Sequence, residues 1–174
     1  MGDSDVQKFV GAMGVAAMLA LGGCGNKNEQ HFKTAEGGDV KLESKGSGET
    51  SVVTATGPDG SQSRIETGGT WPASLTPIAP AYPGGKVATT MSGNQEGSES
   101  AVAAFDTADA PEKVIEFYKA RATAAGLKGT MNMESGDGHM FVASDETSGR
   151  TLSVQASVQD GKTNAVITSS TKKP

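Results

Sequence analysis

The chain has 174 residues, a formal net charge of −5, 35% hydrophobic residues, 24 glycines and only 5% aromatics. This length predicts one domain, and so light a composition predicts that part of the chain lies outside a packed core. No block of Lys and Arg is present, which argues against a nucleic-acid partner because neutralising phosphates requires clustered cations. The single cysteine, Cys24, excludes an intramolecular disulfide and a multi-cysteine zinc site.

The N-terminal segment has the pattern of a secretion signal. The twelve residues Phe9 to Ala20 are apolar and follow Lys8, a length that suits a signal peptide and is too short to span a bilayer. The motif Leu21-Gly22-Gly23-Cys24 comes directly after them and resembles the bacterial lipobox, in which small residues precede a lipidated cysteine. The resemblance implies removal of residues 1–23 and the addition of diacylglycerol and a further acyl chain to Cys24. Several acyl chains hold a protein on a membrane lastingly, whereas a single chain does not.

Lipidation of Cys24 would place the protein in the bacterial cell envelope, with the lipid bilayer as one partner. The next residue is Gly25, where an aspartate in Gram-negative lipoproteins favours the inner membrane. By that resemblance, glycine favours the outer membrane, with the protein facing the periplasm. The alternative is that residues 9–20 form a buried hydrophobic helix and that the cysteine is incidental.

Two segments of low apolar content follow the cysteine. Residues 24–48 are polar and Gly-rich, which predicts a flexible tether with an end-to-end distance of about 25–30 Å. Residues 49–70 contain two β-rich runs on either side of Gly57-Pro58-Asp59-Gly60, a strong turn signal. This pattern predicts a β-hairpin, which must dock on another element because an isolated hairpin is marginal in water.

Residues 71–174 have the pattern of an α+β domain. Trp71 to Pro83 contains four prolines, which exclude a regular helix and a central strand, so we expect it to run extended with its apolar side chains packed on the domain. Gly-rich turns separate the strands that the sequence predicts, which are residues 86–91, 101–106, 129–134, 139–144, 150–158 and 163–169.

A helix is predicted over residues 110–125. Asp109 and Glu112 have the spacing of a capping box, and Pro111 suits the first turn. Gly126 stands where a helix ends in a left-handed residue. One broad apolar stripe along the helix can cover a sheet. The predicted fold is therefore α+β, a small antiparallel sheet in the order ββαββββ covered by one helix.

Two parts of this domain resemble a known group of proteins. Residues 82–87 (YPGGKV) and residues 110–119 (APEKVIEFYK) are similar to small uncharacterised bacterial lipoproteins that pair a YPGAKV-like strand start with an EEVIAFYK-like helix. The resemblance covers residues 72–170. It implies structural roles for these residues and carries no catalytic or binding residue with it.

The sequence contains no constellation that indicates catalysis. His31 and His139 lack partners at the spacing of a catalytic triad, and neither a Gly-x-Ser-x-Gly motif nor a phosphate-binding loop is present. We therefore expect a non-enzymatic binding or interaction module, with no cofactor besides the lipid on Cys24. Its expected partner is an envelope protein, lipid or glycan.

One group of residues predicts a different function, that of a periplasmic soft-metal protein. A hairpin turn at Gly136-Asp137 would place Met133 opposite Met140, with Met131 on the same face of the sheet. Thioether sulfur is a ligand for Cu(I) and Ag(I). His139 would point to the other face, which weakens the site. Packing of the three methionines in the core beneath the helix is the favoured interpretation.

Overall fold

A computed structural model describes residues 29–45, 50–95 and 97–172. Within these ranges the chain forms ten strands and one helix, α1 (Pro111–Ala124). The strands are β1 (Glu29–Lys33), β2 (Asp39–Lys45), β3 (Thr50–Thr56), β4 (Gln62–Thr67), β5 (Lys86–Gln95), β6 (Ser98–Thr107), β7 (Lys128–Ser135), β8 (Gly138–Asp145), β9 (Arg150–Gln159) and β10 (Lys162–Lys172). The predicted signal peptide, residues 1–23, and the lipobox with Cys24 lie outside the described residues.

All ten strands belong to one antiparallel sheet in the spatial order β1-β2-β3-β4-β5-β6-β10-β9-β8-β7. From β5 onwards the order of elements is ββαββββ, which confirms the predicted α+β class. The predicted size of the sheet is wrong, because β1 to β4 add four strands to it. Helix α1 carries the chain from β6 to the far edge strand β7, and three hairpins then return the chain to β10, beside β6.

The flexible tether predicted for residues 24–48 is wrong for its described part. β1 and β2 form a hairpin there, with Phe32 paired to Val40. Gly37 adopts a φ of 87° in the turn, and the Thr34 N–H donates to the Gly38 carbonyl at 2.9 Å. These strands contain only single apolar residues between polar and charged ones. Their sequence is therefore similar to that of a polar spacer.

The predicted hairpin in residues 49–70 is confirmed as β3 and β4. Val53 pairs with Ile65, and the turn is closed by Asp59, whose carboxylate accepts hydrogen bonds from the Ser61 N–H at 3.0 Å and the Ser61 hydroxyl at 2.6 Å. The hairpin lies between β2 and β5 in the sheet. These neighbours supply the docking that a two-stranded hairpin needs.

Helix α1 is confirmed within a residue at each end, but the predicted capping box is wrong. Ala110 is the N-cap, with extended backbone, and no side chain caps the helix. The Asp109 carboxylate instead accepts hydrogen bonds from the Tyr82 hydroxyl at 2.9 Å and from Lys113 Nζ at 3.3 Å. Tertiary contact with Tyr82 has therefore replaced the local cap that the spacing predicted.

The C-terminal end of α1 is closed as the sequence predicts. Gly126 has a φ of 83°, which a residue with a β-carbon adopts at a cost. The Gly126 N–H donates to the Thr123 carbonyl at 3.0 Å, and the Leu127 N–H donates to the Ala122 carbonyl at 2.9 Å. This pair of bonds is the Schellman motif, and it satisfies two carbonyls that the helix leaves without partners.

An aromatic cluster forms the centre of the core between α1 and the sheet. The Phe105 ring lies 5.4 Å from the Tyr82 ring and 5.9 Å from the Trp71 ring, and Tyr118 packs beside them. Trp71 and Tyr82 come from the proline-rich segment 71–83. That segment buries its apolar side chains as predicted, but it runs as a series of turns rather than extended, with the Ala79 N–H bonded to the Leu75 carbonyl at 2.7 Å.

The hydrogen bond between Tyr82 and Asp109 predicts a measurable titration effect. Donation from Tyr82, with a smaller contribution from Lys113, holds the pKa of Asp109 below its usual value of 3.8. Burial, with a smaller contribution from Asp109, raises the pKa of Tyr82 to about 12. The replacement Tyr82→Phe removes the donor, so we expect the pKa of Asp109 to rise towards 3.8, as measured by NMR of its carboxyl carbon.

The lowered pKa of Asp109 also determines how the stability of the folded protein depends on pH. A carboxyl with a lowered pKa in the folded state stabilises the protein above its unfolded pKa, and this contribution is lost as the pH falls through the folded value. The stability difference between the wild type and Tyr82→Phe should therefore shrink in acid. Lys113→Gln serves as the control, with a smaller rise in the pKa of Asp109. An unchanged pKa in Tyr82→Phe would contradict this account.

Candidate functional site: the open face of the sheet

The sheet has a covered face and an open face. Helix α1 contacts β7, β8, β9 and β10, and segment 71–83 packs on the same side, so both lie on the covered face. No element among the described residues forms a second layer on the open face. Antiparallel sheets commonly pack one face on the core and leave the other in solvent, so clustered apolar side chains on the open face define the candidate site.

The pairing register identifies which side chains of β1 to β4 belong to each face. Thr90 of β5 pairs with Ala103, which is buried in the core, and also with Glu66 of β4. Glu66 therefore lies on the covered face, and the adjacent Ile65 lies on the open face, since successive side chains alternate. Glu66 pairs with Val52 of β3, and Val52 pairs with Glu43 of β2, so Glu43 also lies on the covered face.

The charges of this four-stranded extension are confined to the covered face. Eight charged or titratable side chains described in β1 to β4 lie there, namely Glu29, His31, Lys33, Asp39, Lys41, Glu43, Arg64 and Glu66. They neutralise one another, for Lys41 Nζ is 2.8 Å from Glu29 Oε1, and Arg64 is 2.9 Å from Glu66. The described side chains on the open face of the same strands are uncharged.

Apolar side chains cross the open face of this region in one row, which we call the apolar row. Its members are Leu42, Val53, Ile65, Met91 and Val102, one from each of β2 to β6. Neighbouring strands are about 4.8 Å apart, so the row extends about 19 Å across the sheet. Leu42, Ile65 and Met91 are 36% to 44% exposed, and Phe32 of β1 lies beside the row with similar exposure.

The three methionines singled out in the sequence lie at the other end of the open face. Met133 pairs with Met140, and Met131 pairs with Val142, which confirms that they share a face. Their predicted burial beneath the helix is wrong, because Met131 and Met133 are 47% and 52% exposed. We call Met131, Met133 and Met140 the methionine patch. A depression of about 220 Å³ borders it at Met133 and Met140.

The covered face of β8 explains this reversal. Phe141 is buried there against the core, on the side where α1 lies. His139 lies on the same face, as predicted, and its Nε2 atom is 3.2 Å from Glu112 Oε1 of α1. The histidine therefore contacts the helix and is separated from the methionine patch by the sheet.

Neither a membrane-spanning helix nor a cluster of metal-ligating side chains is found among the described residues. Within residues 29–45, 50–95 and 97–172, no helix has the length and hydrophobicity needed to cross a bilayer. The same ranges contain no group of three or more His, Cys, Asp and Glu side chains placed to hold a metal ion. His31 lies at the far edge from His139, with its Nε2 atom 2.8 Å from Glu29 Oε1. The two histidines are thus far apart in the sheet.

The described residues therefore form an α+β protein whose antiparallel sheet has one helical layer and one open face, which is uncharged in β1 to β4. Residues 87–165 match the model of the START domain-like family. This match extends from β5 into β10 and includes α1 and the methionine patch, whereas β1 to β4 lie outside it. The similarity is to a ligand-binding module, which agrees with a non-enzymatic binding role. No curated protein and no solved structure matches the chain.

Proposed function

We propose that the protein is a lipid-anchored envelope protein that binds an apolar or amphipathic partner on the methionine patch without catalysing a reaction. The location in the envelope is supported by the lipobox Leu21-Gly22-Gly23-Cys24. Gly25 favours the outer membrane, with the domain in the periplasm. The resemblance of residues 72–170 to small bacterial lipoproteins supports the same cellular location. The partner is a protein or lipid of the envelope.

The observation that carries the binding role is the exposure of the methionine patch. Half-exposed Met131 and Met133 lie together on a sheet face without a covering layer, within the region similar to the START domain-like family. Methionine is flexible and polarisable, so a surface rich in it adapts to apolar partners of different shape. Clustered exposed apolar side chains commonly mark interaction sites.

Site-specific photocrosslinking in intact cells tests this proposal. A benzoylphenylalanine residue at position 133 should form discrete adducts with an envelope component, because its side chain projects from the open face. The matched control is position 132, where Asn132 is also exposed but lies on the other face of the same strand. Absence of adducts at position 133, or the same adducts from both positions, would count against the open face as the binding surface.

The alternative function is the binding of Cu(I) or Ag(I) by the methionine patch. It is favoured by the pairing of Met133 with Met140 and by the exposure of Met131, which leaves the thioethers accessible. Replacement of all three methionines by leucine keeps the surface apolar but removes sulfur. Under the alternative, Cu(I) affinity in competition with a chromogenic chelator is lost in this variant. An unchanged affinity would end the metal hypothesis and leave the apolar partner.

A further inference from the structure

We propose that the apolar row docks on the surface of the bilayer that holds the lipid anchor, so that the open face of β1 to β6 forms a second membrane contact. This inference rests on the proposed lipidation of Cys24. Three of the five residues of the apolar row, in β2 to β4, lie outside the match to the START domain-like family, and the proposed function has no role for the row. The partner is the lipid bilayer itself, which the open face of the extension contacts.

The length of chain before β1 limits how far the sheet can be from the membrane. Four residues separate Cys24 from Glu29, where β1 begins, so five Cα–Cα steps join them. A chain of this length spans at most about 18 Å when fully extended. The tether of 24–48 predicted from sequence would have lifted the domain clear of the head groups, but the hairpin of β1 and β2, with its turn, occupies residues 29–45 of that segment. The anchor therefore holds the edge of the sheet at the head-group level.

The two faces of the extension suit an interface between lipid and water. The face that carries the apolar row and Phe32 is uncharged, and the opposite face carries the eight charged or titratable side chains of β1 to β4. Interfacial elements divide in this way, with apolar side chains entering the acyl boundary and charged side chains remaining in water. The extension is therefore an amphipathic sheet, in which apolar and charged side chains lie on opposite faces as they do in an interfacial helix.

Tethering favours the bilayer over a second copy or a soluble protein. An apolar row with three side chains that are about 40% exposed is a small surface for a free partner. A surface already held within reach of its target binds as an intramolecular event, so a modest contact is sufficient. The bilayer is the surface within reach once Cys24 carries lipid.

Docking in this orientation leaves the methionine patch free. Neighbouring strands of a sheet are rotated by about 20–25°, so the five steps from β4 to β8 rotate the open face by roughly 100–125°. When the apolar row faces the bilayer, the methionine patch faces sideways or away from it. The two apolar clusters can therefore serve the membrane contact and the proposed partner separately.

Spin labelling of the full lipidated chain in vesicles of phosphatidylethanolamine and phosphatidylglycerol tests the docking. Cys24 is the only native cysteine and is blocked by lipid, so Ile65→Cys gives a single nitroxide in the apolar row. Gln62→Cys is the matched control, an exposed position on the covered face of the same strand. We expect the label at position 65 to lose contact with a water-soluble nickel complex and to gain contact with oxygen, while the label at 62 stays accessible to nickel.

Each outcome has a distinct meaning. If the protein floats with the vesicles and both labels are equally accessible to nickel, docking is overturned and the anchor stands. If the protein does not float, the anchor of the proposed function fails, and docking fails with it. Dipolar broadening at position 65 that disappears on dilution with unlabelled chain would show a second copy on the row and overturn the bilayer as its partner. Met91→Cys, on the neighbouring strand, repeats the test if Ile65→Cys does not fold.

Discussion

We expect Phe105→Ala to lower the free energy of unfolding by about 3–5 kcal/mol. Phe105 is fully buried, and its ring contacts Trp71, Tyr82 and Tyr118, which come from two different elements of the covered face. The alanine variant loses the apolar surface of the ring. The surrounding side chains relax only partly into the cavity that remains. A domain of ordinary stability has about 5–15 kcal/mol in total, so the variant should be marginal.

Urea denaturation followed by tryptophan fluorescence measures this effect. Trp71 is the only tryptophan and lies in the same cluster, so its signal reports on the core directly. Phe32→Ala is the control, because Phe32 is 37% exposed on the edge strand and should change stability by less than about 1 kcal/mol. Phe105→Leu gives a smaller loss if the alanine variant does not fold. Equal midpoints for the Phe105 and Phe32 variants would refute the assignment of this cluster as the core.

We expect Cys24→Ser to abolish lipidation and cleavage of the chain completely. A serine hydroxyl does not accept the thioether-linked diacylglycerol, and cleavage in lipoproteins depends on that modification. The variant should therefore lose both the lipid and the processed N-terminus. The loss of lipid is all or none, because all the acyl chains are attached to this one residue.

Intact mass measurement of the protein extracted in mild detergent from its own membrane decides this prediction. The wild type should have the mass of a chain that starts at Cys24 with lipid added, and the variant should lack that species. Additional non-covalent mass on the wild type would identify a metal-sized or larger ligand. An unlipidated full-length mass for the wild type would refute the anchor, and the apolar residues 9–20 would then need the alternative interpretation of a buried helix.

Local chemistry was sufficient to predict the elements from β5 onwards. The helix signal rested on Pro111 at its start and Gly126 at its end, and both features act within one turn of the chain. The strand signals rested on alternation and on Gly-rich turns, as in β9, where Leu152 and Val154 point to the core. These parts of the fold were predictable because the residues that decide them are close in sequence.

The first hairpin and the helix cap could not be predicted in this way. β1 and β2 have little apolar content, and their pairing depends on the docking of β2 against β3. Asp109 has the right spacing for a cap, but the Tyr82 hydroxyl, 27 residues away in sequence, binds its carboxylate instead. In both cases a distant partner outweighed the local preference.

The sequence by itself determined the class, the helix, the strands after residue 85 and the shared face of the three methionines. Only the tertiary structure decided which face of the sheet is covered. β8 is apolar on both faces, with Phe141 and Ala143 on one and Met140 and Val142 on the other, so alternation alone cannot choose between them. The covered face is rich in buried alanines, namely Ala101, Ala103, Ala143, Ala156 and Ala165. These small side chains, from strands far apart in sequence, make room for α1 and the aromatic cluster, and this leaves the methionine patch on the open face.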